Sequence, residues 1–270
     1  MMPKHSWTSR FPVPDKTGDK TDERFTAGVP LAKVITRKLV DSPEILMTAG
    51  SRSVGAERFR RLKTRLVNQI EGAPQVIVVT SAEPGEGKSF VSMNLALAFA
   101  GDKRGKTLLV DADLRRPIVG SWLKPAPKLG LADLLNGTTE LDHAVLSLET
   151  TPLKVLPAGP AQRDPAELLA SDLAQQLMAT LREQYRTIII DTPPIIPFTD
   201  ADVIGALSDG IIVVGRVGKT ERSMFTRALA SVSSTRILGT VLNGTDFSLA
   251  DWNRPYDYYY TQHYGKDPEK

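Results

Sequence analysis

The chain has 270 residues, 41% hydrophobic and 24% charged, which is enough for one soluble globular domain of about 200 residues with flanking segments. It has no cysteine, which excludes disulfides and thiolate metal sites, and its three histidines are scattered. No run approaches the ~18 apolar residues of a spanning helix, and the N-terminus lacks the apolar core of a signal peptide. We therefore expect a cytoplasmic protein.

The net charge of +3 is concentrated near the N-terminus, since residues 1–70 hold 14 Lys and Arg against 7 Asp and Glu. Residues 1–45 are rich in Pro, Lys, Asp and Thr and show little apolar periodicity. This composition predicts an extended or disordered arm that contributes no core. Its positive charge would suit an acidic partner or anionic lipid headgroups, although a merely solvated arm fits equally well.

Residues 46–250 have the pattern of one folded domain. Apolar residues at helical spacing predict an amphipathic helix over Ala56–Ile70. Beyond it, β-branched runs predict strands at Val76–Thr80, Thr107–Asp111, Leu153–Leu156, Thr187–Asp191, Gly210–Val214 and Ile237–Leu242. Helices are predicted at Lys88–Ala100, Ser171–Tyr185, Thr199–Leu207 and Thr220–Ser234, with short ones within Gly130–Leu146. This alternation is typical of an α/β fold with a doubly wound, mostly parallel sheet and helices on both faces.

The segment Ser81–Ser89, Ser-Ala-Glu-Pro-Gly-Glu-Gly-Lys-Ser, lies between a predicted strand and a predicted helix. Backbone N–H groups there would converge on a β-phosphate, while Lys88 would bridge β and γ oxygens and Ser89 would bind Mg²⁺. The usual P-loop pattern begins with Gly, where this chain has Ala82. The context predicts an ATP site of P-loop NTPase type. Its predicted contacts are Glu83, Pro84, Gly85, Glu86, Gly87, Lys88, Ser89 and Phe90.

Two further apolar strands end in carboxylates, one at Asp111 and Asp113 and the other at Asp191. Parallel α/β sheets place ligands at the carboxyl edge, where these side chains would meet. Three carboxylates at one edge suggest a metal. We expect Mg²⁺ to be held by Ser89 and, through waters, by Asp191.

The C-terminal segment 251–270 holds five of the six tyrosines, which are Tyr256, Tyr258, Tyr259, Tyr260 and Tyr264. It has no apolar period, so it should be exposed and mobile, as a phosphorylation substrate must be. Such a tail could instead be an adhesive interaction segment. Stacking on single-stranded nucleic acid is not expected, because the tail has little positive charge to hold phosphates.

Over about residues 40–265 these motifs resemble the bacterial tyrosine kinases (BY-kinases) of polysaccharide synthesis and export. The matching segments are Ser81–Ser89, Leu108–Pro117, Leu156–Gly159, Glu167–Ser171, Ile188–Pro194 and the tyrosine tail. The resemblance implies an ATP-dependent autokinase in which Asp111 is the base that faces the tyrosine hydroxyl. It also implies that Asp113 and Asp191 organise the magnesium beside the catalytic Lys88.

The family's Glu-x-x-Arg-x-x-Arg pattern resembles Glu57, Arg60 and Lys63 on the first helix, with Lys in the third place. The resemblance implies a homo-oligomer, possibly a ring, with phosphorylation in trans. The spacing puts these side chains roughly along one helix face, which could equally be a solvated charged surface. Lysine lacks the bidentate geometry of arginine, which weakens the expectation of a ring.

Two lower-grade sites complete the prediction. Asn243, at the end of the last strand, resembles an adenine contact of related ATPases, and a bare turn residue is equally plausible. Asp200 and Asp202 begin a helix, so capping is their simplest role. The resemblance further implies a separate membrane chain-length regulator as activator, with the N-terminal arm as a candidate docking element, and an opposing tyrosine phosphatase. The kinase would then be peripheral at the inner membrane.

Two other functions compete with this interpretation. A partitioning or positioning ATPase would share the strand-end aspartates, but it usually has an additional early loop lysine where this chain has Glu83 or Pro84, and it lacks a tyrosine cluster. A non-enzymatic regulator of polymer length would not need an intact Lys88, Ser89, Asp111 and Asp191.

Overall fold

The computed structural model describes residues 35–47, 51, 53–70, 72–102, 106–232 and 235–244. The strands in these ranges are β1 Thr36–Leu39, β2 Val76–Ser81, β3 Thr107–Asp111, β4 Leu123–Lys124, β5 Leu146–Leu148, β6 Lys154–Leu156, β7 Thr187–Asp191, β8 Gly210–Arg216 and β9 Ile237–Asn243. They form one sheet in the order β4-β1-β5-β6-β3-β7-β2-β8-β9. The run from β6 to β9 is parallel, and antiparallel pairing occurs between β1 and β4 and between β5 and β6.

The helices are α1 Val54–Asn68, α2 Lys88–Ala100, α3 Leu131–Leu135, α4 Leu141–Ala144, α5 Pro165–Leu169, α6 Asp172–Gln184, α7 Asp200–Gly205 and α8 Arg222–Ser231, with a 3₁₀ turn at Val119–Trp122. The side chains of Ser53 and Ser171 cap α1 and α6 by accepting from the third following N–H. All elements predicted from the sequence are present, with ends shifted by up to three residues.

Strand β2 shows why the sheet needs helices on both faces. Its residues from Val76 to Ser81 are all buried, as expected for a parallel strand inside a sheet. Val76 and Val78 pack into a core with α3 to α8, whereas Ile77 and Val79 pack into a second core with α1 and α2. Because successive side chains point to opposite faces, one apolar run supplies both cores. The predicted doubly wound α/β fold is confirmed.

Residues 35–45, predicted as part of a coreless arm, belong instead to the folded domain. β1 pairs with β4 and β5, and Ile45 is buried against the α1–α2 side of the sheet. The buried Asn94 of α2 holds the next residues, since its Oδ1 accepts from the Leu46 and Met47 N–H groups at 2.8 and 3.1 Å. A four-residue strand whose partners lie far along the chain leaves no periodic signal, which explains the error.

The remaining differences are short elements. β4, β5 and α5 have no more than five residues each and were not predicted. Residues 1–34 and the tail 251–270 lie outside the described residues, and so do all five tail tyrosines. Among the helices of the described ranges, none combines the length and apolar character that crossing a membrane requires.

Candidate active site

The phosphate loop connects β2 to α2 at the carboxyl edge of the sheet. Gly85 and Gly87 have φ values of 79° and 94°, in the left-handed region that favours glycine. Gly87 immediately precedes α2, whose first residue is Lys88. Ala82, where the usual pattern has glycine, is fully buried in the core. The strand, turn and helix thus have the arrangement of an anion site at a helix N-terminus.

Sheet register brings the predicted carboxylates together. Asp111 and Asp191 are directly paired at the ends of β3 and β7, and Asp191 is also opposite Val79 of β2. Asp113 follows two residues after Asp111. All three side chains are buried, with at most 3% of the residue exposed. A cluster of buried carboxylates requires a compensating cation.

Lys88 supplies that positive charge. Its Nζ lies 2.7 Å from Asp113 Oδ2, 3.7 Å from Asp191 Oδ2 and 3.2 Å from Ser89 Oγ. Burial acts to lower the pKa of Lys88, but the attraction of Asp191 and Asp113 outweighs it and the pKa is raised. The lysine is therefore protonated and lies among the acidic side chains.

Asp111 and Asp191 are harder to ionise than ordinary carboxyls. Burial, reinforced by the charge of Asp191, raises the pKa of Asp111 well above its usual range. The Asp111 oxygens accept from the N–H groups of Asp113 and Val119 at 3.2 and 3.1 Å. Burial also raises the pKa of Asp191, although Lys88 and two serine hydroxyls oppose that rise. Raised pKa values at a cleft edge are typical of functional carboxyls.

The side chains of the site supply only part of a coordination shell for Mg²⁺. The described residues contain no group of three acidic or histidine side chains arranged as a complete metal site. However, Asp191 Oδ2 is buried without a hydrogen-bond partner, while Asp191 Oδ1 lies 3.0 Å from the Ser92 hydroxyl. Because Mg²⁺ usually takes one or two carboxylates and completes its shell with waters and phosphate, Ser89, Asp113 and Asp191 fit an ion that arrives with a nucleotide.

The outer side of the loop is held by contacts with distant residues, and one of these, Thr220, was not indicated by the sequence patterns. Glu86 is fully buried, its Oε2 accepts from the Glu83 N–H at 2.9 Å, and its Oε1 accepts from the Thr220 hydroxyl. The amide of Asn243, a predicted adenine contact, donates to the Glu86 carbonyl at 2.9 Å. Asn243 thus contacts the loop itself.

Phe90, a predicted nucleotide contact, also has a packing role. Its ring packs edge-on against Phe59 of α1, with the ring centroids 5.6 Å apart. Its carbonyl accepts from the Asn94 side chain at 2.9 Å. The side chain of Phe90 therefore joins α2 to α1.

Arg115 was missed as a site residue, and Asp200 was misassigned. Arg115 Nε and Nη2 donate to the two carboxylate oxygens of the fully buried Asp200 at 2.6 and 3.0 Å. The guanidinium carbon lies 4.2 Å from the Phe198 ring centroid. Asp200 is thus a partner of arginine, and no side-chain cap forms at Thr199. The segment Asp111–Arg115, Asp-Ala-Asp-Leu-Arg, could have indicated Arg115, because it puts this arginine two residues after Asp113.

The predicted interface side chains have partners within the chain. Arg60 Nη1 lies 3.0 Å from Glu57 Oε2 on the same helix. Lys63 Nζ lies 3.9 Å from Asp102 Oδ2 and 5.8 Å from the Phe99 ring centroid. An oligomer would have to add to these contacts or exchange them.

Comparisons with known proteins identify the family of this chain. The AAA domain family model matches residues 74–221. The tyrosine-protein kinase YwqD of Bacillus subtilis (strain 168) is 34% identical over 214 residues, 78% of this chain and 89% of YwqD. The succinoglycan biosynthesis transport protein ExoP of Rhizobium meliloti (strain 1021) is 33% identical over 233 residues, 84% of this chain but 28% of ExoP.

A solved structure gives the same result. The kinase domain of the Escherichia coli tyrosine kinase ETK superposes with a TM-score of 0.66 and 30% identity, covering 72% of this chain and 79% of that one. The loop, the three strand-end carboxylates and Lys88 lie together at the carboxyl edge of the sheet, where parallel α/β folds bind their ligands. This chain therefore belongs to the bacterial tyrosine kinase (BY-kinase) family and is a protein-tyrosine kinase.

Proposed function

We propose that this kinase transfers the γ-phosphoryl group of MgATP to the tyrosines of its own C-terminal tail and thereby regulates exopolysaccharide synthesis or export. The observation that supports this most strongly is the placement of Lys88. Its ammonium lies within 4 Å of two strand-end carboxylates, at the start of a helix that follows a phosphate loop. A γ-phosphate entering there would replace the carboxylates as the partner of Lys88.

In the transfer, the tyrosine Oη forms a bond to the γ-phosphorus, and the bond to the β–γ bridging oxygen breaks, which releases ADP. Lys88 would neutralise charge on the transferring group. Mg²⁺, held by Ser89, Asp113 and Asp191, would neutralise the β and γ oxygens. The phenol has an ordinary pKa near 10, so a base must accept its proton. Asp111, which is paired with Asp191 at the carboxyl edge of the sheet, is the proposed base.

The tail tyrosines and the buried Tyr185 should behave differently. Burial, with a smaller contribution from Asp142, raises the pKa of Tyr185 to about 12, and only 8% of the residue is exposed. Tyr185 therefore cannot present its hydroxyl to an active site while the domain is folded, and it provides an internal negative control for the tail.

Tandem mass spectrometry after incubation with MgATP tests the proposal. We expect phosphate on Tyr256 to Tyr264 of the parent, none on Tyr185, and none anywhere in Lys88→Ala. Because the transition state is loose and depends mainly on positioning and charge, Asp111→Ala should lose no more activity than Lys88→Ala. ADP release with unmodified tyrosines, even with a membrane activator's cytoplasmic segment present, would instead favour a partitioning-type ATPase.

The proposed partners follow from the same assignment. We infer that subunits associate through α1 in a ring, so that one tail reaches a neighbour's site. ExoP is named as a succinoglycan biosynthesis transport protein. Export requires a membrane component, which supports a membrane chain-length regulator as activator. This activator would keep the kinase on the cytoplasmic side of the inner membrane. A tyrosine phosphatase would remove the phosphate from the tail tyrosines. No nucleic acid is expected as a partner.

A further inference from the structure

Three consecutive carbonyl groups of the phosphate loop each accept a hydrogen bond from a different distant side chain. Lys219 Nζ donates to the Pro84 oxygen at 2.7 Å, Arg216 Nη1 to the Gly85 oxygen at 3.2 Å, and Asn243 Nδ2 to the Glu86 oxygen at 2.9 Å. These donors lie 131 to 157 residues further along the chain. They belong to the end of β8, the turn after it and the last residue of β9.

This pattern has a direct consequence for the N–H groups of the loop. In a planar trans peptide the carbonyl and the following N–H point in opposite directions. Holding the carbonyls of residues 84, 85 and 86 on one side therefore turns the N–H groups of Gly85, Glu86 and Gly87 to the other side. Successive N–H groups aligned in this way form an anion-binding concavity.

The two glycines make room for the donors. A Cβ at Gly85 would lie 2.8 Å from Lys219 Nζ, and one at Gly87 would lie 2.0 Å from Asn243 Nδ2. The loop glycines are thus needed for the approach of these side chains as well as for their positive φ values.

The turn that presents the donors is itself braced. The Thr220 hydroxyl accepts from the Arg216 N–H at 2.7 Å and donates to the buried Glu86 carboxylate. The Val217 N–H donates to the Asn243 carbonyl at 2.9 Å, which ties the turn to the end of β9. Although Arg216 and Lys219 are exposed, their backbone is therefore fixed relative to the loop.

We propose that Arg216, Lys219 and Asn243 form a carbonyl clamp that positions the phosphate loop for nucleotide binding. The three are positioning residues, because they act through the loop peptides and do not touch the phosphates. This inference rests on the proposed function only in requiring that the loop binds a nucleotide phosphate.

Two competing explanations make different predictions. If the cations only attract phosphate, any nearby exposed cation should matter equally, and Arg222→Met is a control for this. Arg222 is exposed at the start of α8 and forms no hydrogen bond with the phosphate loop in the described residues. If Asn243 contacts adenine, its loss should affect MgADP but not magnesium pyrophosphate, which has no base.

Isothermal titration calorimetry with MgADP and with magnesium pyrophosphate tests the clamp. We expect Lys219→Met and Asn243→Leu each to weaken both ligands about tenfold, the effect of one charge-assisted or buried hydrogen bond, and Arg222→Met to change neither by more than about twofold. Arg216→Met is a second variant at an exposed position. The unfolding midpoint of each variant, measured without ligand, verifies that the variant is folded.

The outcomes separate the clamp from the proposed function. Equal binding by parent, Lys219→Met and Asn243→Leu would overturn the clamp alone, as would a loss in Asn243→Leu confined to MgADP, or equal losses in Lys219→Met and Arg222→Met. Failure of the parent to bind either ligand would overturn the proposed function, and the clamp with it.

Discussion

Asp191, a proposed magnesium ligand, lies in a position that lowers the stability of the fold. Its carboxylate is fully buried, one oxygen has no hydrogen-bond partner, and burial raises its pKa. A raised pKa means that the folded protein binds this proton more tightly than the unfolded chain does. The free-energy cost of ionising Asp191 in the folded protein is thus absent at pH values below the ordinary carboxyl pKa. It grows as the pH rises through the pKa that Asp191 has in the folded state.

We therefore expect Asp191→Asn to be more stable than the parent at neutral pH in nucleotide-free, metal-free buffer. A gain of about 1 kcal/mol would raise the melting temperature by about 2–4 °C in a domain of this size. The advantage should shrink as pH falls towards 4, while phosphotransfer is lost at every pH. Differential scanning calorimetry across pH measures this, and an Asn variant that melts below the parent at neutral pH would contradict it.

At the scale of elements, the pair of Arg115 and Asp200 joins the segment after β3 to the start of α7. Arg115 follows Asp113 by two residues, and the Arg116 N–H donates to Asp113 Oδ1 at 2.9 Å. The bidentate contact to Asp200 thus fixes the backbone that carries the two carboxylates proposed to be catalytic. Lysine would keep the charge but lose the fork geometry.

We expect Arg115→Lys to lower kcat about tenfold with little change in the KM for ATP, because small displacements of catalytic groups are costly whereas the phosphate loop is untouched. Arg182→Lys is a matched control, since Arg182 also donates two bonds to one carboxylate, that of Asp209, beside the start of β2 and β8. It should affect the melting temperature and leave kcat unchanged. Equal kcat losses in both variants would indicate a general structural effect.

At the scale of the whole molecule, activity should feed back on assembly. Each phosphate adds about −1.5 to −2 charges, and the site mouth already has three carboxylates. A heavily phosphorylated tail should therefore leave a neighbour's site and loosen the oligomer. Sedimentation velocity in MgADP should show a lower mass for the phosphorylated protein than for a variant with all five tail tyrosines replaced by Phe. An unchanged mass after full phosphorylation would contradict this prediction.

Sequence patterns predicted the α/β architecture, the phosphate loop and the edge at which Asp111, Asp113 and Asp191 meet. These features are local: strand and helix periods are short, and the loop is continuous in sequence. Parallel strands then bring their carboxyl ends to one edge without further information.

The folded chain, in contrast, shows which groups neighbour one another at that edge. It placed Lys88 among the carboxylates, paired Arg115 with Asp200, added β1 to the sheet and brought Arg216, Lys219 and Asn243 onto the loop carbonyls. The physical reason is that each of these contacts joins residues far apart in the chain, so no local pattern records it.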